Sequence, residues 1–215
     1  MKIIKSAKTD FDIDAANIVI SVLKESVIIA LPTGTTPLGM YRELVKAKIN
    51  WSKIKIFMLD VNYPQDPKDP ESFYSFSKKY LPTDKFNILD CRAKDPEAEC
   101  LQYEAKIQAA GGLDLAVLGI GVNGHIAYNE PGTSFDSLTH LAKLQNQKFK
   151  FGLTMGIKTI MSAQKIILLA KGKEKAVIVK RAVEGPVNES CPASILQTHR
   201  DVTFILDQEA ASRLK

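Results

Sequence analysis

Residues Leu113–Glu130 read LDLAVLGIGVNGHIAYNE. The opening run, Leu113–Ile120, is apolar almost throughout, far too short to span a membrane and too uniform for a strand with one wet face. Such a run predicts a strand buried on both sides, as in a parallel sheet covered by helices. Glycines at 119, 121 and 124 then let the chain turn tightly, and His125 follows them. In sheets of this kind ligands sit beyond the carboxyl ends of the strands, so the turn after this strand is a place to look for a site.

The same alternation extends in both directions. Val27–Leu31, Ile54–Leu59, Lys165–Ala170 and Val202–Leu206 read as further strands. Thr36–Lys46, Glu71–Tyr80, Pro96–Ala109 and Glu174–Val183 read as helices, with a short helix expected after the last strand. Pro96 suits a first helical turn, and Gly111-Gly112 a stop. Asp60–Pro70, with three prolines, and Asn129–Leu138 read as irregular loops. The pattern predicts an α/β fold, a Rossmann-like three-layer sandwich with a mostly parallel sheet flanked by helices. No linker divides the chain, so residues 1–215 are expected to form a single domain.

Composition narrows the function classes. At 45% hydrophobic and 25% charged residues the chain is ordinary for a globular protein, which excludes disorder and fibrous architectures. The net charge of +5 is too mild to imply nucleic acid but suits a small anionic ligand. Cys91, Cys100 and Cys191 have no metal-ligand spacing, and an odd number argues for a reducing compartment. The first sixteen residues are charged throughout, without an apolar secretory core, and no run is long enough for a membrane span. The expectation is a cytoplasmic protein with no membrane or nucleic-acid partner.

Four segments carry candidate chemistry. LPTGTTP, Leu31–Pro37, joins a strand to a helix. Gly34 permits close backbone approach, Thr33, Thr35 and Thr36 supply hydroxyls, and the helix end supplies free N–H groups, which together make a phosphate cradle. The plainer reading is a threonine N-cap followed by proline; a P-loop is excluded because the lysine after the glycine is missing. In GIGVNGHIAYNE, His125 is suited to proton exchange near neutral pH and Glu130 to orienting it. The plainer reading, a structural histidine, is outweighed by the glycine setting. A dinucleotide reading of Gly119, Gly121 and Gly124 is set aside, since Pro131 follows too soon and no strand-end acid answers it. Asp60 ends an apolar strand, where desolvation would make it a better base, although a cap or turn aspartate fits its position too. Lys175 lies at a helix start, a position hostile to a cation unless an anion is near, although with Lys171 and Lys173 beside it a solvated basic turn fits too.

In order and spacing, LPTGTTP, MLD with PESFYSF ten residues on, GIGVNGHIAYNEPGTSF, LTMG and GKEKAVIVKRAVEGPVN resemble the glucosamine-6-phosphate deaminase (isomerase) family, grouped with 6-phosphogluconolactonase. The likeness runs from about Val27 to the C-terminus, and NEP after GHIAY points to the deaminase branch. It implies conversion of glucosamine 6-phosphate to fructose 6-phosphate and ammonia, without metal or organic cofactor. Asp60 matches the base between C2 and C1, His125 the group that opens the ring at O5, and Glu130 its carboxylate partner. Gly34, Thr35, Thr36 and Lys175 match the phosphate site, to which Thr33 and Gly124 are added, and Asn123 stands where many members have a catalytic Asp. The alternatives are galactosamine-6-phosphate isomerase, a 6-phosphogluconolactonase-type hydrolase, and a non-catalytic phosphosugar sensor.

The chain also departs from that family's pattern. Asp60-Val61-Asn62 stands where Asp-Glu-Tyr is usual, removing an acid beside the base. Only QNQKFKFG separates Leu144 from Leu153, in place of a longer lid segment with a phosphate-binding arginine. No arginine lies between Arg92 and Arg181, leaving Lys148 or Lys150 to replace it. His140 and Ala142 occupy positions that are basic in members activated by N-acetylglucosamine 6-phosphate, so no such activation is expected. A monomer or small homo-oligomer is expected, since little chain follows Leu206.

Overall fold

The computed structural model describes residues 1–23, 27–81, 83–145 and 148–215. The chain runs β1 (Lys2–Ser6), α1 (Phe11–Val22), β2 (Ile28–Leu31), α2 (Leu38–Lys46), β3 (Lys55–Met58), β4 (Asp60–Tyr63), α3 (Phe73–Tyr80) and β5 (Phe86–Asn87). It continues α4 (Pro96–Ala110), β6 (Leu115–Gly119), β7 (His140–Lys143), β8 (Phe151–Thr154), α5 (Ile157–Met161), β9 (Lys165–Ala170), α6 (Ala176–Glu184) and β10 (Val202–Asp207). Seven strands form one sheet in the order β1-β10-β9-β6-β2-β3-β5, and every pairing in it is parallel.

Period-2 alternation divides the core between the two faces of this sheet. Ile29, Leu31, Leu115 and Val117 point to the face covered by Phe11 and Val19 of α1 and Met40 and Leu44 of α2. Ile28, Ala30, Ala116 and Leu118 point to the other, against Tyr103 and Ile107 of α4, Ile160 of α5 and Val179 of α6. Both faces are therefore dry, which explains the uninterrupted apolar strand at 115–118.

The strand order reverses direction at β2. From β2 the chain moves outward through β3 to β5, then returns to β6 on the other side of β2. The two loops that leave β2 and β6 diverge there and open a crevice at their carboxyl ends. LPTGTTP leaves β2 and GIGVNGH leaves β6, so both candidate loops start at this reversal.

Local signals place several helix ends. Asp95 accepts hydrogen bonds from the N–H groups of Glu97 and Ala98, Pro96 opens α4, and Gly111 ends it at φ 114°. Ser72 caps α3, which begins at Phe73 rather than Glu71. α2 begins at Leu38 rather than Thr36, and α6 begins at Ala176 after a single 3-10 turn over Lys173–Lys175.

Three expectations are corrected. Residues 208–213 form successive turns, not a C-terminal helix: the Asp207 carboxylate accepts from the Ala210 N–H at 2.7 Å and holds the chain in a tight bend. The stretch from Asp60 is not an irregular loop at its start, because Asp60–Tyr63 forms β4, antiparallel to β8, which in turn pairs with β7. Asp60 thus opens a strand of a second, three-stranded sheet rather than closing β3, and Leu59 is the hinge between the two. β1 and α1 were not signalled by the sequence pattern, since β1 is an edge strand with only Ser6 buried.

Candidate active site

At the carboxyl ends of β2, β3 and β6 lies a cleft of about 390 Å³. This is within the usual range for small-molecule sites, about 300–1,000 Å³. Thr33, Gly34, Thr35, Thr36, Asp60, His125 and Lys175 all face it. One side is the LPTGTTP turn. Gly34 has φ 101°, which L side chains rarely adopt, and the space around its Cα is open. Beneath the turn, buried Tyr41 donates its hydroxyl to the Pro32 carbonyl at 2.5 Å. No side chain caps α2, so the threonine N-cap reading does not hold; the Leu38 N–H at the helix start donates to the Thr35 carbonyl, and Pro37 lines the cleft. Opposite, the Lys175 Nζ donates to the Ile120 carbonyl at 2.8 Å, and burial holds its pKa below the usual lysine range.

Asp60 is only 7% exposed. Burial alone pushes its pKa from 3.8 up to about 7. A carboxyl balanced near neutrality takes up and returns a proton at little cost, which is what a general base needs. Val61, next in β4, points into the core, and Asn62 points back to Asp60's side of the strand. Neither lines the cleft, so the Val61-Asn62 departure does not remove an acid from the wall of the site.

The glycine turn explains how His125 is held. The Gly121 N–H donates to the His125 carbonyl at 2.9 Å, and a Cβ on Gly121 would lie 2.3 Å from the imidazole. The ring therefore needs glycine there. Burial lowers the His125 pKa; the Glu130 carboxylate opposes this and Lys175 reinforces it. Glu130 Oε1 lies 3.5 Å from Nδ1, a loose contact, and Nδ1 has no nearer partner. Asn123 ties the pair together: its Nδ2 donates to Glu130 Oε2 at 2.7 Å, and its Oδ1 accepts from the His125 N–H at 3.1 Å. An amide does this well, because a carboxylate at 123 would have no donor for Glu130.

Asn123, Gly124 and Glu130 do not themselves line the cleft. Gly124 has φ 94° and packs on Cys191 and Ile178, while its carbonyl accepts from the Ala193 N–H at 2.9 Å. Lys148 pairs with Glu71 on the surface, and neither Lys148 nor Lys150 lines the cleft. His140–Lys143 and Phe151–Thr154 pair antiparallel as β7 and β8, and the short segment that stands in place of the family's longer lid lies between them.

Sequence reasoning missed the two aromatic residues of the wall, Phe73 and Tyr128. Their rings stack with centroids 6.0 Å apart. Tyr128 lies against Gly152, where a Cβ would come within 2.5 Å of the ring, and its hydroxyl donates to Asn62 Oδ1 at 2.6 Å. Both aromatics sit inside motifs already singled out, but no spacing signal marks them as facing a ligand. Among the described residues no group of three or more His, Cys, Asp or Glu is placed to hold a metal, and no helix is long and apolar enough to cross a membrane.

Comparison with known proteins agrees with this arrangement. The family model described as glucosamine-6-phosphate isomerases/6-phosphogluconolactonase matches residues 10–205. The chain belongs to that family. A glucosamine-6-phosphate deaminase from Clostridium botulinum is 43% identical over 90% of this chain and 89% of its own. One from Clostridium acetobutylicum is 42% identical, covering 93% and 94%. The solved structure of a monomeric glucosamine-6-phosphate deaminase superposes with a TM-score of 0.95 at 36% identity, covering 99% of this chain and all 100% of that one. The 6-phosphogluconolactonase of Trypanosoma brucei, at 22% identity and TM-score 0.82, shares the fold. Within this family of phosphosugar enzymes, the short 140–154 segment is thus compatible with full-length agreement to a solved member.

Proposed function

We propose that the chain is a glucosamine-6-phosphate deaminase, an aldose–ketose isomerase that releases fructose 6-phosphate and ammonia. The observation that carries the reading is one cleft shared by the threonine-glycine turn, Lys175, a buried Asp60 and His125. The turn and the start of α2 take the phosphate, with Lys175 as counter-charge. His125, oriented by Glu130 and Asn123, moves the proton that opens the ring at O5. Asp60 then carries a proton from C2 to C1, and water replaces the amine at C2 as ammonia leaves. Gly124 supports this arrangement from behind through its contact with Cys191.

The sequence identity to deaminases supports this reading over lactone hydrolysis. The whole chain acts as one α/β unit, and its three thiols, all free and buried, suit a reducing cytoplasm. The deciding measurement is ammonia release from glucosamine 6-phosphate and galactosamine 6-phosphate, beside hydrolysis of 6-phosphogluconolactone. Release from the first substrate well above the others is expected. Thermal stabilisation by all these ligands without turnover of any would overturn the catalytic reading in favour of a sensor.

A further inference from the structure

The hydroxyl of Tyr128 is committed to a chain of hydrogen bonds that leads away from Asp60. Tyr128 donates to Asn62 Oδ1 (2.6 Å), Asn62 Nδ2 donates to Gln65 Oε1 (3.3 Å), and Gln65 Nε2 donates to Asp69 Oδ2 (3.0 Å). The last acceptor fixes the direction of all the others. The Glu71 backbone N–H and the Gln65 amide hold the Asp69 pKa below the usual carboxylate range. An ionised carboxylate only accepts, so each amide must turn its NH2 toward Asp69 and its oxygen toward Tyr128. Asn62 and Gln65 are 6% and 7% exposed, so water does not offer them substitutes.

Asn62 lies two residues after Asp60 in β4, on the same side of the strand. The Tyr128 ring walls the cleft beside Asp60, and the Asp60 charge is among the influences on the Tyr128 phenol. We infer that Asn62 is a positioning residue that diverts the Tyr128 hydroxyl from Asp60 and so keeps the base free of a donor. A phenol donating to the carboxylate would stabilise its ionised form and make it a weaker base. Other groups facing Asp60 do not take over this role. Tyr41 of α2 donates to Pro32, and Tyr103 of α4 donates to the Met58 and Asn87 carbonyls. His125 and Lys175 share the cleft and are tied to Glu130 and Ile120.

The inference rests on the reading of Asp60 as the base, yet its test does not need turnover. The probe is the carboxyl carbon resonance of Asp60 in the full chain without substrate, assigned by its loss in Asp60→Asn and followed across pH. Asn62→Leu keeps volume at the site but offers no acceptor, leaving the phenol to seek Asp60. The Asp60 midpoint is expected to fall by about one pH unit, tenfold in proton affinity. Asn62→Leu combined with Tyr128→Phe should return it to the native value, because no hydroxyl remains to donate. Should Asn62→Leu not fold, Asn62→Ala carries the same comparison. An unchanged midpoint in the single variant, or a midpoint that stays low in the double variant, overturns the inference. A carboxyl titration that behaves as expected in a chain that releases no ammonia would sink the deaminase reading and leave this one standing.

Discussion

Asp60 is a carboxyl for which function and stability are opposed. Its pKa rises from 3.8 in the unfolded chain to about 7 in the folded one. Between these values the folded state binds more protons than the unfolded state, so stability falls as pH rises through that window. The loss is bounded at about 4 kcal/mol at alkaline pH. Asp60→Asn should therefore raise the melting temperature at pH 8 and leave it nearly unchanged at pH 4. It should also abolish ammonia release while phosphosugar binding, read by calorimetry, stays within a few-fold. Near-native turnover would remove Asp60 from its role; equal melting shifts at both pH values would refute its burial as a charge. In the native enzyme, activity should fall as pH drops below about 7, as the base becomes protonated. Asp60 and His125 were legible because their residue types are rare in apolar and glycine-rich settings. Tyr128 and Phe73 were not, because an aromatic in a half-buried motif reads as core until its neighbours are known.

At the level of elements, the loops leaving β2 and β6 do different work. The loop after β9 supplies Lys175, the proposed counter-charge to the phosphate. Lys175→Ala removes one charged contact, about 1.5–3 kcal/mol, so KM should rise roughly ten- to hundredfold with kcat within a few-fold. A fall in kcat at constant KM would place that lysine at the reaction centre instead. The β6 loop supplies geometry. Gly121→Ala sets a Cβ 2.3 Å from the His125 ring, which must tilt away from Glu130. A displacement of about 1 Å can cost about a hundredfold in rate, so kcat should fall at least tenfold while the far-UV spectrum stays native. Unaltered kinetics would show that the ring has room. These loops were legible because glycine and threonine at a strand end constrain backbone and ligand together. The small sheet was not. Asp60–Tyr63 becomes a strand only through its register with β8, Asn62 opposite Gly152, and four-residue strands carry too little alternation to stand out before Pro64. The same distant pairing brings Tyr128 against Gly152, which is why the aromatic wall and the small sheet escaped notice together.

For the whole molecule, the cleft gathers residues far apart in the chain, from Pro32 to Lys175. Its distinctive feature is how Asp60 is mounted. Leu59 passes the chain from the parallel sheet into the antiparallel one, and the Met155 N–H donates to the Leu59 carbonyl at 2.8 Å, locking the two sheets at that point. The β7–β8 hairpin is therefore tied to the strand that carries Asp60, and through it to the core. A strand pair fastened in this way is poorly suited to report a distant effector by swinging open. His140 and Ala142 stand in β7 where the family resemblance places basic residues in activated members, so no receiver for such an effector is expected there. Sedimentation equilibrium is expected to give a mass near the chain's own 23.7 kDa. Substrate saturation should be hyperbolic, and N-acetylglucosamine 6-phosphate should compete for the phosphate cradle rather than accelerate the reaction. A clear rate increase with that compound, or a Hill coefficient well above one in a sample that sediments as an oligomer, would show that coupling reaches Asp60 by a route other than this hairpin.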